Sequence, residues 1–293
     1  MILVVGATGF LGREICRRLS EQGEPVHGFA RPSSNAAVVA ELQSIGVDIV
    51  RGDLRDRRSL DAACRGMDTV ISTATTTRSR QPGESIETTD HQGQLALVEA
   101  AREAGVRRFV YVSYSAHFEG DDALTVAKRS VEQRVRESGM TYTIVRPSCF
   151  MEVWLSPALG FDYPNGAVTV YGSGEGKLSW ISIADVAQFV VRALDDSHAE
   201  DATVELGGPE ALSPLEVVRL FERASGRSFT VQRVPEDALR AKRDAATDSL
   251  DQAFASLMLN VAAGDEIPME DTLRTYRLRF TPVGDYVRQA VAR

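Results

Sequence analysis

Three glycines spaced three residues apart follow a short apolar run at the start of the chain. The run covers residues 2–5, and the glycines are Gly6, Gly9 and Gly12. Apolar residues then recur at helical spacing. A strand, a glycine turn and a helix in this order bring backbone N–H groups and a helix N-terminus against a pyrophosphate. The pattern therefore predicts a dinucleotide site, with the N–H groups of Gly9 and Phe10 facing the pyrophosphate.

The residues after the second predicted strand indicate which dinucleotide binds. Chains that bind NAD usually carry an Asp or Glu there, which holds the ribose hydroxyls. Residues 28–32 read Gly-Phe-Ala-Arg-Pro, and the next acidic residue is Glu41. Arg31 instead offers a guanidinium where the 2′-phosphate of NADP would lie, and this planar fork suits a dianion. We therefore expect NADP(H) as the cofactor, with a solvated Arg31 as the alternative.

Alternating strands and helices are needed to position these residues, and the pattern through residue 150 supplies them. Short apolar runs indicate strands, and longer periodic segments between them indicate helices. The predicted strands cover residues 2–5, 26–29, 47–50, 69–72, 109–112 and 142–145. This alternation predicts an α/β fold with a Rossmann-type doubly wound parallel sheet and helices on both faces.

After Pro147 the pattern loosens into loops and short strands rich in aromatic residues, proline and glycine. Residues 236–258 are then predicted to be helical and charged, and 283–291 to form a last helix. The predicted domains are an NAD(P)-binding domain over 1–150, to which 181–207 returns, and a smaller substrate lobe over 151–180 and 208–293.

Composition narrows the class of protein further. The 293 residues carry a net charge of −8, which argues against a nucleic-acid partner. No apolar stretch approaches the roughly 20 residues that span a bilayer, and the first run has no basic leader. Cys16, Cys64 and Cys149 are too scattered for a disulfide framework or a zinc site. We expect a cytoplasmic protein without a metal or a membrane anchor, as a monomer or homodimer.

With these segments placed, the chain resembles an atypical short-chain dehydrogenase/reductase of the NmrA-like group, which includes isoflavone, pinoresinol and quinone reductases. The likeness covers residues 2 to about 235 in order. The matching segments are Gly6-Ala7-Thr8-Gly9-Phe10-Leu11-Gly12, Gly52-Asp53-Leu54, Met67-Asp68-Thr69-Val70-Ile71, Gly105-Val106-Arg107-Arg108-Phe109-Val110, Tyr142-Thr143-Ile144-Val145-Arg146-Pro147 and Ile183-Ala184-Asp185-Val186-Ala187.

The resemblance implies further cofactor contacts. Arg13 would clamp the 2′-phosphate together with Arg31, and Asp53 and Leu54 would lie beside the adenine. Asp53 alone would equally suit a turn or a helix cap. The cofactor-binding residues expected in all are Gly6, Thr8, Gly9, Phe10, Leu11, Gly12, Arg13, Arg31, Asp53, Leu54, Thr73, Ala74, Thr75, Lys128 and Pro147.

The resemblance also shows a departure at the catalytic helix. Most short-chain dehydrogenases carry Tyr-x-x-x-Lys there, in which the Lys holds the nicotinamide ribose and lowers the pKa of the Tyr. This chain has Leu124 in the place of the Tyr and retains Lys128. Leucine cannot exchange a proton, so the tyrosine mechanism is excluded at that position. The isoflavone-reductase branch assigns proton transfer to the Lys, which leaves Lys128 as ribose ligand, proton donor or surface residue.

Three residues after the fifth strand are the other catalytic candidates. In the wider superfamily the slot of Ser115 polarises the substrate carbonyl, so its hydroxyl could stabilise an oxyanion, or it could cap a loop. Tyr114 is the nearest phenol, although strand neighbours alternate faces. An imidazole titrates near neutrality, which makes His117 a possible proton donor.

An apolar wall for a flat substrate is predicted just after the sixth strand. Phe150, Met151 and Trp154 would form it, with core packing as the alternative. The sequence thus predicts an NADPH-dependent reductase of a small apolar or aromatic carbonyl, enone or quinone. A sensor or assembly factor that binds NADP(H) without turnover is the second hypothesis, and a non-redox epimerase, lyase or cyclase is the third.

Overall fold

The computed structural model describes residues 1–77 and 81–292 of the chain. Its strands lie within about two residues of the six predicted from the apolar runs, and four more follow. The strands are β1 (Ile2–Val5), β2 (Val26–Ala30), β3 (Asp48–Arg51), β4 (Thr69–Ser72), β5 (Arg108–Val112), β6 (Thr141–Pro147), β7 (Phe161–Asp162), β8 (Ala167–Tyr171), β9 (Ala202–Leu206) and β10 (Thr230–Val234).

Helices separate most of these strands. They are α1 (Phe10–Glu21), α2 (Ala36–Ser44), α3 (Arg57–Cys64), α4 (Gln94–Glu103), α5 (Ala123–Arg136), α6 (Met151–Trp154), α7 (Ile183–Ala193), α8 (Pro214–Ser225), α9 (Glu236–Ala245), α10 (Ser249–Ala263), α11 (Glu270–Tyr276) and α12 (Val283–Val291). A π-helical turn (Ile86–Gly93) leads into α4, and two short 3₁₀ turns cover Pro157–Leu159 and Ser197–Ala199.

Seven strands form one sheet in the order β3-β2-β1-β4-β5-β6-β9. The pairs from β3 to β6 are all parallel, and Val5 at the end of β1 is level with Phe29 and Ser72. The strand order reverses at β1, and in such sheets ligands bind beyond the carboxyl ends of the strands at this switch point. The predicted Rossmann-type doubly wound sheet is confirmed.

The chain divides into two compact units, and each has its own apolar core. Unit 1 comprises residues 1–113, 123–145 and 187–204, and unit 2 comprises 114–122, 146–186 and 205–293. Leu3, Phe109 and Tyr111 are fully buried in the core of unit 1, as Phe221 and Leu178 are in that of unit 2. Residues 114–122 and 146–150, expected in the first domain, therefore pack with the second unit.

Unit 2 contains a small sheet in which β8 pairs with β10 in parallel and with β7 antiparallel. The segment 236–258, predicted to be helical, contains two helices, because α9 ends at Ala245 and α10 begins at Ser249. Asp248 is the N-cap of α10, because its carboxylate accepts hydrogen bonds from the N–H groups of Leu250 and Asp251 at 2.9 and 3.3 Å.

Candidate functional site

The glycine turn lies at the switch point, between the end of β1 and the start of α1. Gly6 has φ +88°, and a Cβ there would meet Thr73 Oγ1 at 2.6 Å and Ala74 N at 2.8 Å. A Cβ at Gly12 would lie 2.1 Å from Gly6 O. These two glycines are therefore required by the contacts of the turn itself.

Gly9 differs, because its nearest obstacle, Gly6 O, would be 3.2 Å from an added Cβ. It is the N-cap of α1, and as a glycine it provides no side-chain hydrogen bond to the first turn of the helix. This is the arrangement that receives a pyrophosphate. The prediction for the Gly9 N–H is corrected, because that group donates to Gly6 O at 2.9 Å inside the turn. Phe10 begins the helix and is exposed, Leu11 is buried, and Thr8 is half-buried.

Both arginines predicted for the 2′-phosphate form ion pairs in the structure. Arg31 follows the end of β2, and its guanidinium pairs with the carboxylate of Glu84, whose side chain is buried. Arg13 pairs with Glu41 at 3.3 Å and lies over the ring of Phe10. A bound phosphate would compete with these carboxylates for the guanidinium groups.

Ser34 adds a donor beside Arg31 that the sequence did not single out. Its N–H donates to Arg31 O at 3.0 Å, which folds residues 31–34 into a turn before α2. Its Oγ is buried and has no hydrogen-bond partner within residues 1–77 and 81–292. A buried, unpaired hydroxyl in the turn that follows Arg31 fits an anionic group such as a phosphate.

Asp53 and Leu54 follow β3 and have structural contacts of their own. The Asp53 carboxylate accepts Arg55 Nε at 3.0 Å and Nη2 at 2.7 Å, and these hydrogen bonds hold the pKa of Asp53 below its ordinary value. Leu54 is buried in the core of unit 1. Asp53 thus occupies the turn position that the sequence offered as the alternative to an adenine contact.

The residues after β4 run past the glycine turn. Thr73 N donates to Val5 O at 2.9 Å, and Thr73 Oγ1 donates to the same oxygen at 3.2 Å. Ala74 O accepts the buried Gln94 Nε2 at 2.9 Å, and Thr75 is half-buried next in the chain. Gln94 was not identified from the sequence, and it fixes this backbone beside the switch point.

Lys128 is buried on α5, which rules out a surface lysine. Its Nζ donates to Val112 O at 3.4 Å and lies 5.2 Å from the centre of the Tyr111 ring. Burial lowers the pKa of Lys128, while the charges of Asp90 and Glu132 oppose that shift. Leu124, in the place of the usual Tyr, is 2% exposed and apolar. Lys128 is therefore a desolvated amine in the interior of unit 1.

Asp90 is the buried carboxylate that faces this amine, and sequence reasoning missed it. It lies in the π-helical turn, which packs against α5, and His91 in the same turn contacts Ser130 of α5 at 3.2 Å. Asp90 Oδ2 accepts Thr76 N at 3.0 Å, whereas Oδ1 has no hydrogen-bond partner in the described part of the chain. A π-helical turn often marks a functional site.

Ser115 and His117 both contact Asp265, a residue of unit 2 that lies about 150 positions further along the sequence. Asp265 Oδ1 accepts Ser115 Oγ at 2.7 Å and lies 2.8 Å from His117 Nδ1. Ser115 is fully buried, whereas the His117 side chain is 55% exposed. Ser115 therefore directs its hydroxyl proton inward to Asp265, and in this arrangement that proton is not directed at a substrate oxyanion.

The remaining predicted residues of unit 2 differ in how deeply they are buried. Pro147 ends β6, and its carbonyl accepts Ser115 N at 3.0 Å. Met151 is fully buried in the core of unit 2, the alternative that the sequence left open. Trp154 and Tyr114 are half-buried against the same core, and Phe150 is half-buried at the start of α6.

The three cysteines are buried free thiols. Burial raises the pKa of Cys16 and of Cys64 to about 12, and it also raises that of Cys149. Thiols of this kind are poor nucleophiles at neutral pH. In residues 1–77 and 81–292, no group of three or more His, Cys, Asp or Glu side chains could hold a metal ion. None of the helices described there has the length and apolarity to cross a membrane.

The chain is similar to known proteins over most of its length. The sequence profile of the NmrA-like family matches residues 1–280. The chain is 35% identical to (4-alkanoyl-5-oxo-2,5-dihydrofuran-3-yl)methyl phosphate reductase of Streptomyces griseus, over 82% of this chain and 79% of that one. It is 36% identical to an NAD(P)H azoreductase of Xenophilus azovorans, over 78% and 74% of the two chains.

Two further proteins are similar to this chain, one in sequence and one in structure. Photosystem II assembly factor Ycf39 of Synechocystis is 31% identical, over 83% of this chain and 73% of that protein. Among solved structures, an NADPH-dependent quinone oxidoreductase from Escherichia coli, complexed with NADPH, matches with a TM-score of 0.79 at 22% identity over 99% of each chain. At that identity the structural match supports the fold alone.

Proposed function

The chain belongs to the NmrA-like family, and on that premise we propose that it is an NADP(H)-dependent oxidoreductase. Its proposed substrates are small apolar or aromatic carbonyls, enones or quinones. The observation that carries the proposal is the position of the glycine turn and the N-terminus of α1 at the switch point of the sheet, with a glycine and not a capping side chain before the helix. The reductases among its relatives support the same class of reaction.

Bound NADPH supplies a hydride, and the chain supplies binding and charge stabilisation. The first N–H groups of α1 would hold the pyrophosphate, while Arg31 and the Ser34 hydroxyl would take the 2′-phosphate. Lys128 would hold the nicotinamide ribose, because its ammonium is desolvated and lies on the helix that the family places there. The half-buried Phe150 and Trp154 would give an apolar surface for a flat substrate.

The cofactor preference can be tested with Arg31→Ala. A charge-assisted contact with a phosphate contributes about 1.5–3 kcal/mol, so NADPH binding should weaken by roughly 10–100-fold. NADH binding should barely change, because NADH lacks the 2′-phosphate. Calorimetric titration of both cofactors measures this, with the exposed Arg65→Ala in the same unit as control. Equal affinity of the unmodified protein for NADPH and NADH would refute the preference.

A second candidate function is an NADP(H)-binding sensor or assembly factor without turnover. Leu124 in the place of the usual Tyr favours it, as does the similarity to Ycf39. Loss of NADPH absorbance with a panel of quinones and enones would support the reductase. Tight NADPH binding without turnover on the whole panel would support the sensor. Product formation without net cofactor oxidation would instead indicate a non-redox enzyme.

A further inference from the structure

A buried carboxylate in unit 2 ties the ring and the backbone of His117 together. Asp265 is 1% exposed, and its Oδ1 lies 2.8 Å from His117 Nδ1. The same oxygen accepts the Ser115 hydroxyl at 2.7 Å, and Ser115 Oγ accepts the His117 N–H at 3.2 Å. His117 is thus held at two points, and its Nε2 is the ring nitrogen left for other contacts.

Asp265 reaches this position through an unusual turn at the end of α10. Gly264 has φ +102° and ψ 164°, a region of backbone conformation that is essentially restricted to glycine. Asp265 N then donates to Lys177 O at 2.7 Å, and Asp265 O accepts Ser179 N at 2.9 Å. These backbone contacts fix the carboxylate from a segment about 150 residues away from His117 in the sequence.

We propose that His117 is the proton donor of the reduction and that Asp265 is the residue that positions it. This proposal rests on the proposed reductase function. The carboxylate holds the proton on Nδ1, so the proton transferred is the one on Nε2 of the imidazolium ring. As the hydride forms a C–H bond at the substrate carbon, the C=O π bond breaks and its electron pair takes the Nε2 proton to form O–H. The neutral ring, more than half exposed, then regains a proton from water.

The other two candidates suit this role less well. Ser115 is fully buried and donates its proton to Asp265, so it supports the carboxylate. Lys128 is 5% exposed with its Nζ on a backbone carbonyl, which suits a ribose ligand better than a group that exchanges protons with water each turnover. His117 combines a fixed ring with access to solvent.

The chain offers a matched control in unit 1. His198 Nδ1 lies 2.8 Å from Asp196 Oδ1, the carboxylate is buried, and the His198 ring is exposed. This pair is local, because the two residues are two positions apart at a 3₁₀ turn. The two pairs share the Nδ1–Oδ1 distance of 2.8 Å, so the control shows what an Asp–His contact of this length does away from Asp265.

The spectroscopic test uses ¹⁵N-labelled protein without cofactor, in which the four histidines are assigned by His→Gln variants. The neutral ring of His117 should carry its proton on Nδ1, and Asp265→Ala should shift the ring to a mixture of tautomers. His198 should not respond to Asp265→Ala. A His117 ring that carries its proton on Nε2 in the parent would overturn the proposal.

The kinetic test compares His117→Gln, Asp265→Asn and His198→Gln on a substrate that the parent reduces. His117→Gln should lower kcat by about 100-fold or more, because a positioned proton donor typically contributes 10²–10⁴. Asp265→Asn should lower kcat by at least about tenfold with the NADPH dissociation constant unchanged, and His198→Gln should change neither. Full activity of His117→Gln would overturn this proposal alone, whereas a parent without turnover would overturn the proposed function and this proposal with it.

Discussion

The two units differ in which of their titratable side chains is buried. In unit 1 the amine of Lys128 is buried, and the charges that act on it are the carboxylates of Asp90 and Glu132 and the guanidinium of Arg129. In unit 2 the base, His117, is exposed and the carboxylate of Asp265 is buried. A desolvated amine is costly to charge and has limited access to water. The imidazole of His117 is held in one orientation by the buried carboxylate and is more than half exposed to water. Under the two proposals above, unit 1 would supply the binding chemistry and unit 2 the proton chemistry.

The largest expected effect is that of Lys128→Met, which should change turnover and stability in opposite directions. Lys128→Met should lower turnover by about 100–1,000-fold, because it removes a positioned cationic donor. The same change should raise the free energy of unfolding at neutral pH, since burial disfavours the charged lysine and methionine has no charge to desolvate. Urea unfolding and steady-state kinetics measure the two effects. A variant less stable than the parent would contradict the assignment of Lys128 as an unfavourably buried amine.

His117→Gln provides the counterpart in unit 2 for that experiment. Its exposed ring should leave the free energy of unfolding within about 0.5 kcal/mol of the parent. If both variants lowered stability by similar amounts, the contrast between the units would fail.

A smaller effect tests the turn that carries Asp265. Gly264→Ala should lower the free energy of unfolding by on the order of 3 kcal/mol, through backbone strain and a clash. The added Cβ would lie 2.8 Å from Lys177 O. Gly226→Ala is the control, because Gly226 also has positive φ but its Cβ would meet no described atom within 4 Å. We expect that control to cost about 1–2 kcal/mol. Equal losses in urea unfolding would show that the contact with Lys177 is not a constraint.

The smallest effect is the pH dependence that Lys128 gives to stability. The pKa of Lys128 is lowered in the folded chain, so between that value and about 10.4 the unfolded chain binds more protons. The free energy of unfolding should therefore rise with pH in that window, by at most about 1.4 kcal/mol per pH unit. Lys128→Met should lack this rise. Asp90→Asn should make it begin at lower pH, because Asp90 favours the ammonium form. Urea unfolding over this range checks both variants, and a constant difference between parent and Lys128→Met would refute the shift.

Local patterns predicted the sheet well, because each strand and the glycine turn are specified by neighbouring residues. The apolar run before Gly6 and the absence of an acid after β2 are both short-range signals. The division into two helices near Asp248 was not predicted from the sequence. Aspartate is nevertheless a common N-cap residue, and Asp248 is the N-cap of α10. The sequence therefore contained the capping signal, but the apolar periodicity on both sides of Asp248 was given more weight.

The candidate site was predicted less completely, for a different reason. Asp265, Asp90 and Glu84 act through contacts made across the fold, and their sequence surroundings do not distinguish them from other acidic residues. Asp265 depends on the conformation of Gly264 and on pairing with the segment around Leu178. A sequence without an alignment gives no measure of such long-range pairings.

The division of the chain into two units has a consequence for engineering. The chain passes from one unit to the other after residues 113, 122, 145, 186 and 204. No single cut therefore releases either unit as a continuous polypeptide, and a gene fragment that encodes one unit must also encode parts of the other. Grafting of a whole terminal segment from a relative should accordingly fail to produce a folded chimera, whereas exchange of a short loop that lies within one unit should leave the fold intact.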